Sequence, residues 1–117
     1  DVPVDHSLVW TEQMMPVMPV ARVADVDRAI ELAVRAEHGF GHTASIFSRN
    51  VDTITRMARL IDVSIFVANA ATLAGLGDGG EGFTSFSIAS PTGEGLTRPR
   101  SLSRERRLAI AGGLRIV

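Results

Sequence analysis

Apolar residues recur at helical spacing in two stretches of the chain. Asp25 is a favourable N-cap and Gly39 supplies a stop, so a helix is predicted between them. Its inward face holds Val26, Ala29, Ile30, Ala33 and Val34. Asn50 caps a second predicted helix over residues 51–61. The inward face of this helix holds Val51, Ile54, Met57, Ala58 and Ile61.

Short apolar runs precede and follow these helices. Residues 17–23 (VMPVARV), 42–48 (HTASIFS) and 63–69 (VSIFVAN) are predicted to be strands. Pro19 cannot donate to a ladder, which places the first run at a strand start or a sheet edge. Alternating strands and helices imply parallel strands joined by crossovers. The sequence therefore predicts an α/β fold with a βαβαβ layer.

The pattern changes in the C-terminal third of the chain. Seven of the eleven glycines lie within residues 75–95, and FTSFSIAS (83–90) alternates as a strand without a clearly apolar face. The closing RLAIAGGLRIV (107–117) predicts a strand, a turn and a tail. We expect residues 1–74 to belong to an α/β domain, and residues 75–117 to form a Gly-rich connector and a strand segment.

Three strands and two helices form only a thin layer, and the glycine-rich part offers few apolar residues to cover it. The chain also opens on Asp1 rather than on a methionine. We therefore expect a piece of a longer protein, whose core is completed by other chain segments or by another subunit.

Charge is unevenly distributed, although the formal net charge is only −1. Residues 1–97 hold six arginines and twelve acidic residues, whereas residues 98–117 hold six arginines and Glu105 alone. A basic run such as RPRSLSRERR (98–107) can bind phosphates, but this one lacks lysine and interleaved aromatic residues. Docking onto an acidic protein surface is therefore favoured over binding to nucleic acid.

Composition excludes several other classes of site. Cysteine is absent, so these residues contain no disulfide, thiolate metal site or cysteine nucleophile. No apolar run approaches the roughly 20 residues of a membrane span. His38 and His42 are four residues apart, but the Gly39-Phe40-Gly41 run between them predicts a turn rather than a helical metal site. No metal ligand is expected.

The stretch GLGDGG (75–80) matches the G-x-G-x-x-G pattern of dinucleotide-binding turns. That mechanism needs a helix directly after the glycines, and GEGFTSFSIA has neither helical period nor cap. Asp78 would also repel a pyrophosphate. A loop with positive-φ turns and close backbone packing is the favoured interpretation.

The segment TEQMMPVMP (11–19) combines three methionines, two prolines and Glu12. Methionines of this kind often fill gaps in a core, with the neighbouring carboxylate solvated. The alternative places Glu12 at the mouth of a pocket, where it would bind a sugar or an amide. Taken alone, the residues favour core filling.

Three motifs together carry a family resemblance: EQMMPVMP (12–19), EHGFGHTASIFS (37–48) and SPTGEGLT (90–97). They resemble the C-terminal part of the aldehyde dehydrogenase superfamily. More narrowly, they resemble the CoA-acylating enzymes of bacterial microcompartments that act on propionaldehyde or acetaldehyde. The resemblance covers nearly the whole chain. It implies the last βαβαβ unit of the catalytic domain, followed by β strands used in oligomerisation.

The resemblance also implies an activity and partners. The full enzyme would oxidise an aldehyde through a thiohemiacetal on a cysteine, pass hydride to NAD and release the acyl group to coenzyme A. Its partners would be the remainder of its own catalytic and NAD-binding domains and further copies, in a dimer or tetramer. It would be cytoplasmic, inside the lumen of a microcompartment.

Five residues acquire roles from the resemblance. Glu12 matches the glutamate that hydrogen-bonds the nicotinamide ribose, and Met14 stands where the family has a phenylalanine beside the cofactor. Asn69 matches the asparagine that closes a strand. Together with Thr72 and Leu73, in the loop that follows, it would border the acyl pocket.

The resemblance assigns no catalytic residue to these 117 residues, because the nucleophilic cysteine and the general base belong to earlier parts of such chains. The chain alone should therefore be inactive. The alternative is a stand-alone α/β module that binds a protein partner without chemistry.

Overall fold

The computed structural model describes residues 1–80 and 103–112. These residues contain three helices, two strands and a 3₁₀ turn. In chain order they are α1 (Ser7–Trp10), α2 (Val26–Ala36), β1 (Thr43–Ile46), α3 (Val51–Leu60), β2 (Ile65–Ala68) and the 3₁₀ turn Thr72–Leu76.

Helix α2 begins where the sequence predicts, because the Asp25 side chain accepts a 2.8 Å hydrogen bond from the Arg28 backbone N–H. Ile30 is buried, as the apolar spacing predicts, but the same prediction is wrong for Val26 and Ala29, which are exposed. Leu32 is also buried, although it lies outside the predicted face. It lines a cavity with Trp10 of the N-terminal segment, which covers this second side of the helix.

Helix α3 is also fixed by its cap. The Asn50 Oδ1 atom accepts hydrogen bonds from two backbone N–H groups of the first turn, at 2.9 and 3.1 Å. Met57 is buried on the predicted inward face, and Ile61 is buried directly after the helix. The same prediction is wrong for Val51 and Ala58, which are exposed.

The two strands pair in parallel, with Thr43 opposite Ile65 and Ile46 opposite Ala68. Helices α2 and α3 cover one face of this sheet, as expected for a parallel crossover. Their shared cluster has Ile30, Met57 and Ile61 at its centre, with Ala33, Val34, Ala44, Ile46, Val63 and Phe66 packed around them.

The 3₁₀ turn covers the other face of β2. Ile65 and Val67 of the strand form a buried cluster with Ala74 and Leu76 of the turn. Gly75 makes this approach possible, because a Cβ atom added there would lie 2.2 Å from Ile65 Cγ2. Successive side chains of β2 point to opposite faces of the sheet. One face is covered by α2 and α3 and the other by the 3₁₀ turn.

The predicted first strand, residues 17–23, is wrong. These residues form no strand, and the described sheet has two members, so the described order is αβαβ after α1 rather than βαβαβ. The Val2 N–H donates a 2.8 Å hydrogen bond to the Val20 carbonyl, but no ladder follows. Pro19 lacks a donor, and Met18 is 81% exposed.

The described residues test only some of the predictions made for the C-terminal third of the chain. The strand predicted at 83–90 lies outside the described residues. Residues 103–112 form no strand, so the strand predicted before Gly112 is wrong, and both Leu108 and Ile110 are exposed there. The division at residue 74 stays a prediction. In residues 1–80 and 103–112, no helix has the length and apolar content that a membrane crossing requires.

Candidate functional site

The residues singled out from the sequence lie in two groups at opposite ends of the sheet. Glu12 and Met14 line a cleft together with Thr43, the first residue of β1. Asn69 and the 3₁₀ turn follow the last residue of β2. Because the strands are parallel and four residues long, the two ends are about 13 Å apart.

The cleft at the start of β1 has a volume of about 610 Å³ and mixes apolar with polar side chains. It is formed where the N-terminal segment crosses the turn between α2 and β1. Its lining residues are Val9, Trp10, Thr11, Glu12, Met14, Ala36, Glu37, His38, Phe40, His42 and Thr43.

The turn on one side of the cleft is held by the Glu37 carboxylate. One of its oxygens accepts a 3.0 Å hydrogen bond from the Gly39 N–H, and the other accepts from the Gly41 N–H. The backbone is left-handed at His38, Gly39 and Gly41, with φ of 57°, 76° and 66°. This compact path ends α2 and presents His38, Phe40 and His42 to the cleft, consistent with the predicted turn.

The segment on the other side is anchored through Trp10. Its Nε1–H donates a 2.8 Å hydrogen bond to the Val4 carbonyl. The Arg35 guanidinium carbon lies 4.5 Å from the centre of the indole ring, within cation–π distance. His38 Nε2 is 3.0 Å from the Trp10 carbonyl oxygen. These contacts fix the chain two residues before Glu12 against α2 and its terminal turn.

Glu12 and Met14 both face solvent at the cleft. In the described part of the chain, the Glu12 carboxylate forms no ion pair, and 86% of the Met14 surface is exposed. Met15 and Met18 are also exposed, so the methionines do not fill the core of the described residues as the favoured interpretation had them. An unpaired carboxylate beside exposed apolar surface can accept hydrogen bonds from hydroxyl or amide groups of a ligand.

The sequence predicts a turn at His38 and His42, but nothing in its pattern connects them with Glu12. Both line the same cleft, where His42 Nδ1 lies 2.6 Å from Thr43 Oγ1. No group of three or more potential metal ligands occurs among residues 1–80 and 103–112. The predicted turn was the feature of the sequence that could have indicated this. A compact turn brings the side chains on either side of it to one surface, here His38 and His42.

The second group is built around Asn69. Its Oδ1 accepts a hydrogen bond from the Ser48 N–H at 2.8 Å, and its Nδ2 donates to the Ser48 carbonyl at 2.9 Å. Its backbone is left-handed, with φ of 60°. Ala70 and Ala71 connect this bend to the 3₁₀ turn, whose first residues, Thr72 and Leu73, are both exposed.

Gly77, Gly79 and Gly80 form a loop, as the sequence predicts, whereas Gly75 lies within the preceding 3₁₀ turn. Gly77 and Gly79 have φ of 93° and 74°, which side chains rarely adopt. A Cβ atom at Gly80 would lie 2.8 Å from the Ala74 carbonyl oxygen, just as Gly75 packs closely on β2. Positive φ and close backbone packing are both confirmed.

Comparisons with a family model and with known proteins agree on one family. The aldehyde dehydrogenase family matches residues 1–85. The acetylating acetaldehyde dehydrogenase EutE of Salmonella typhimurium is 51% identical over 117 residues, which is 100% of this chain and 25% of that protein. The CoA-propanoylating propanal dehydrogenase of the same organism is 47% identical over 112 residues, 96% of this chain and 24% of that protein. The chain thus spans about a quarter of the length of these relatives.

Solved structures give the same result. Propionaldehyde dehydrogenase of Rhodopseudomonas palustris, with bound CoA and an acylated cysteine, matches with a TM-score of 0.84 at 51% identity, covering 90% of this chain and 24% of that one. The propionaldehyde dehydrogenase of a Clostridium phytofermentans fucose-utilisation microcompartment matches at 0.83 and 46% identity, covering 93% and 25%. An engineered glycolyl-CoA reductase with bound NADP⁺ matches at 0.83 and 50% identity, covering 90% and 24%.

Proposed function

Because the chain belongs to the aldehyde dehydrogenase family, we propose that its residues act as the C-terminal part of a CoA-acylating aldehyde dehydrogenase. The enzyme converts acetaldehyde or propionaldehyde, coenzyme A and NAD to acyl-CoA, NADH and a proton. The observation that carries this proposal is the 51% identity to an acetylating acetaldehyde dehydrogenase along all 117 residues. Similarity to a CoA-propanoylating enzyme at 47% identity leaves the two-carbon and three-carbon aldehydes as joint candidates.

The cleft at the start of β1 supports a cofactor role for Glu12 and Met14. NAD supplies the hydride acceptor when it is bound. The exposed Glu12 carboxylate suits a ribose, because it can accept hydrogen bonds from two neighbouring hydroxyl groups. Met14 offers an exposed, polarisable side chain on the same wall, suited to an aromatic ring edge. Anchoring through Trp10 keeps the carboxylate in place before the cofactor arrives.

The chemistry on the aldehyde needs a group that these residues do not supply. Acyl transfer to the sulfur of coenzyme A through a thioester requires a thiol nucleophile, and the chain contains no cysteine. The nucleophile therefore comes from the remainder of the enzyme, as does the NAD-binding domain. The contribution of this chain is to bind the cofactor at Glu12 and Met14 and to border the acyl pocket near Asn69, Thr72 and Leu73.

Assembly and location belong to the same proposal. The enzyme forms a dimer or tetramer, in which the arginines of residues 98–107 dock onto an acidic surface of a neighbouring domain or subunit. The similar enzyme of Clostridium phytofermentans comes from a bacterial microcompartment, which supports a place in the cytoplasm inside such a compartment.

The test is an assay of the full-length protein that contains these residues. We expect NADH to form from acetaldehyde or propionaldehyde only when coenzyme A is present, with acyl-CoA produced in equal amount by mass spectrometry. NADH formation that does not need coenzyme A and yields a free carboxylic acid would overturn the CoA-acylating assignment. No turnover of either aldehyde would overturn the whole proposal.

A further inference from the structure

We propose that Asn69 is a positioning residue, which fixes the 3₁₀ turn Thr72–Leu76 by clamping Ser48 and so sets the preference for aldehyde chain length. The inference rests on the proposed function, because it takes the turn to border the acyl pocket. It differs from a pocket role for Asn69 itself, since the amide group acts on the protein backbone rather than on the substrate.

The amide of Asn69 is engaged on both sides by one residue. Ser48 donates its N–H to Oδ1 at 2.8 Å and accepts from Nδ2 at 2.9 Å through its carbonyl. The Asn69 N–H also donates to the Ile46 carbonyl at 2.7 Å. The side chain thus adds one more paired step to the parallel ladder where the backbone of β2 has already turned away. Both polar atoms of the amide are occupied in this way.

The backbone of Asn69 explains why the ladder needs a side chain there. Its φ of 60° turns the chain out of the sheet, and asparagine tolerates this left-handed conformation better than most residues. Ala70 and Ala71 lead from this bend to Thr72 and Leu73, the first residues of the 3₁₀ turn. The direction in which the chain leaves the sheet toward the turn is therefore set at Asn69.

The far end of the turn is anchored independently. Ala74 and Leu76 are buried against Ile65 and Val67, and Gly75 lies directly on the strand. Thr72 and Leu73 are held between this anchor and the Asn69 clamp, with Leu73 48% exposed. A short turn fixed at both ends presents its outward side chains in one geometry, as discrimination between substrates of similar size requires.

Ser48 provides a matched control, because its side chain has a different partner. The Asn50 N–H donates to Ser48 Oγ at 3.1 Å, next to the cap of α3. Ser48→Ala removes that bond but keeps the backbone N–H and carbonyl that the Asn69 amide uses. Loss of stability alone can therefore be separated from loss of the clamp.

The experiment compares Asn69→Gly, Asn69→Asp and Ser48→Ala in the full-length enzyme. Glycine accepts the left-handed backbone but loses both amide bonds, whereas aspartate keeps the acceptor for the Ser48 N–H and loses the donor. We expect both Asn69 variants to change the propionaldehyde-to-acetaldehyde ratio of kcat/KM at least about threefold, with an unchanged KM for NAD. A threefold change is small beside the roughly 10- to 200-fold discrimination in kcat/KM that a hydrophobic pocket can reach between substrates differing by one methylene group. Ser48→Ala should leave the ratio within about twofold of the parent.

Amide hydrogen exchange supplies a readout that does not depend on activity. The Ser48 N–H should exchange at least about tenfold faster in Asn69→Gly but stay protected in Asn69→Asp. Unchanged exchange in Asn69→Gly, or a chain-length ratio that is unchanged in both Asn69 variants or equally changed by Ser48→Ala, would overturn the inference. If the parent enzyme forms no acyl-CoA, the proposed function and the chain-length role fall together, and hydrogen exchange still decides the clamp.

Discussion

Glu12 and Asn69 show how differently two polar side chains can be used at the ends of one sheet. The Asn69 amide is paired on both sides with Ser48, whereas the Glu12 carboxylate faces an open cleft and forms no ion pair with the described residues. A carboxylate that keeps its solvation can exchange water for the hydroxyl groups of a ligand at little cost. Glu12 is therefore available to bind a ligand, and Asn69 is committed to the fold.

Glu12→Gln in the full-length enzyme tests the cofactor role. The substitution keeps the size of the side chain and removes its charge, so a charge-assisted hydrogen bond to the ribose is lost. We expect kcat/KM for NAD to fall by an amount equivalent to about 1.5–3 kcal/mol, while assembly is retained. Steady-state kinetics with varied NAD, together with size-exclusion chromatography, measure the two outcomes.

Glu31→Gln is the control for this change. It removes the same charge from the exposed face of α2, where Glu31 pairs with Arg28 outside the cleft. Exposed pairs of this kind contribute little, so NAD kinetics should stay close to those of the parent. NAD kinetics that are unchanged in Glu12→Gln would exclude the ribose contact.

At the level of elements, the predictions that hold depend on neighbouring residues in the sequence. Asp25 and Asn50 cap their helices through side-chain bonds to backbone groups two or three residues on, and such contacts can be read from a short stretch. The two strands before and after α3 are also predicted correctly, because they are close in sequence and pair with each other. The strand predicted at residues 17–23 does not form, since a strand needs a pairing partner and none of the described segments provides one.

The candidate site was predicted less completely than the fold, for a related reason. Glu12 and Met14 came from a family resemblance, and their placement in one cleft agrees with a shared role. For the histidines of the facing turn, the sequence predicts only a turn and no ligand. Their proximity to Glu12 results from the Trp10 contacts, which join residues 28 positions apart and leave no periodic signal.

Gly75→Ala tests how the 3₁₀ turn is attached to β2. The added methyl group would lie 2.2 Å from Ile65 Cγ2, so the turn must move away from the strand. We expect a destabilisation of about 1–3 kcal/mol, as for other overpacked sites, and a lower denaturation midpoint. Thr72→Ala, on the exposed side of the same turn, should change stability by no more than about 0.5 kcal/mol. Equal midpoints for the two variants would contradict the close contact at Gly75.

At the scale of the whole molecule, large apolar side chains remain uncovered. Met14, Met18, Phe47 and Val51 are each at least 72% exposed in the described part of the chain. Apolar side chains at this level of exposure on several elements indicate surfaces that pack against other protein. The relatives, about four times longer, contain such additional protein. The exposed apolar surface therefore agrees with the proposal that these residues act as part of a larger enzyme.

The absence of cysteine leads to the last prediction, that the purified 117-residue chain forms neither NADH nor acyl-CoA from aldehyde, coenzyme A and NAD. The reason is chemical and does not depend on folding, because the chain has no cysteine thiol that could attack the aldehyde and carry the acyl group as an enzyme-bound thioester. Alkylation of the full-length enzyme provides the complementary measurement. Iodoacetamide should abolish its activity, and peptide mapping should place the modified residue outside these 117 residues. Acyl-CoA formation by the isolated chain, or full activity after complete alkylation, would show that the reaction proceeds without a cysteine nucleophile.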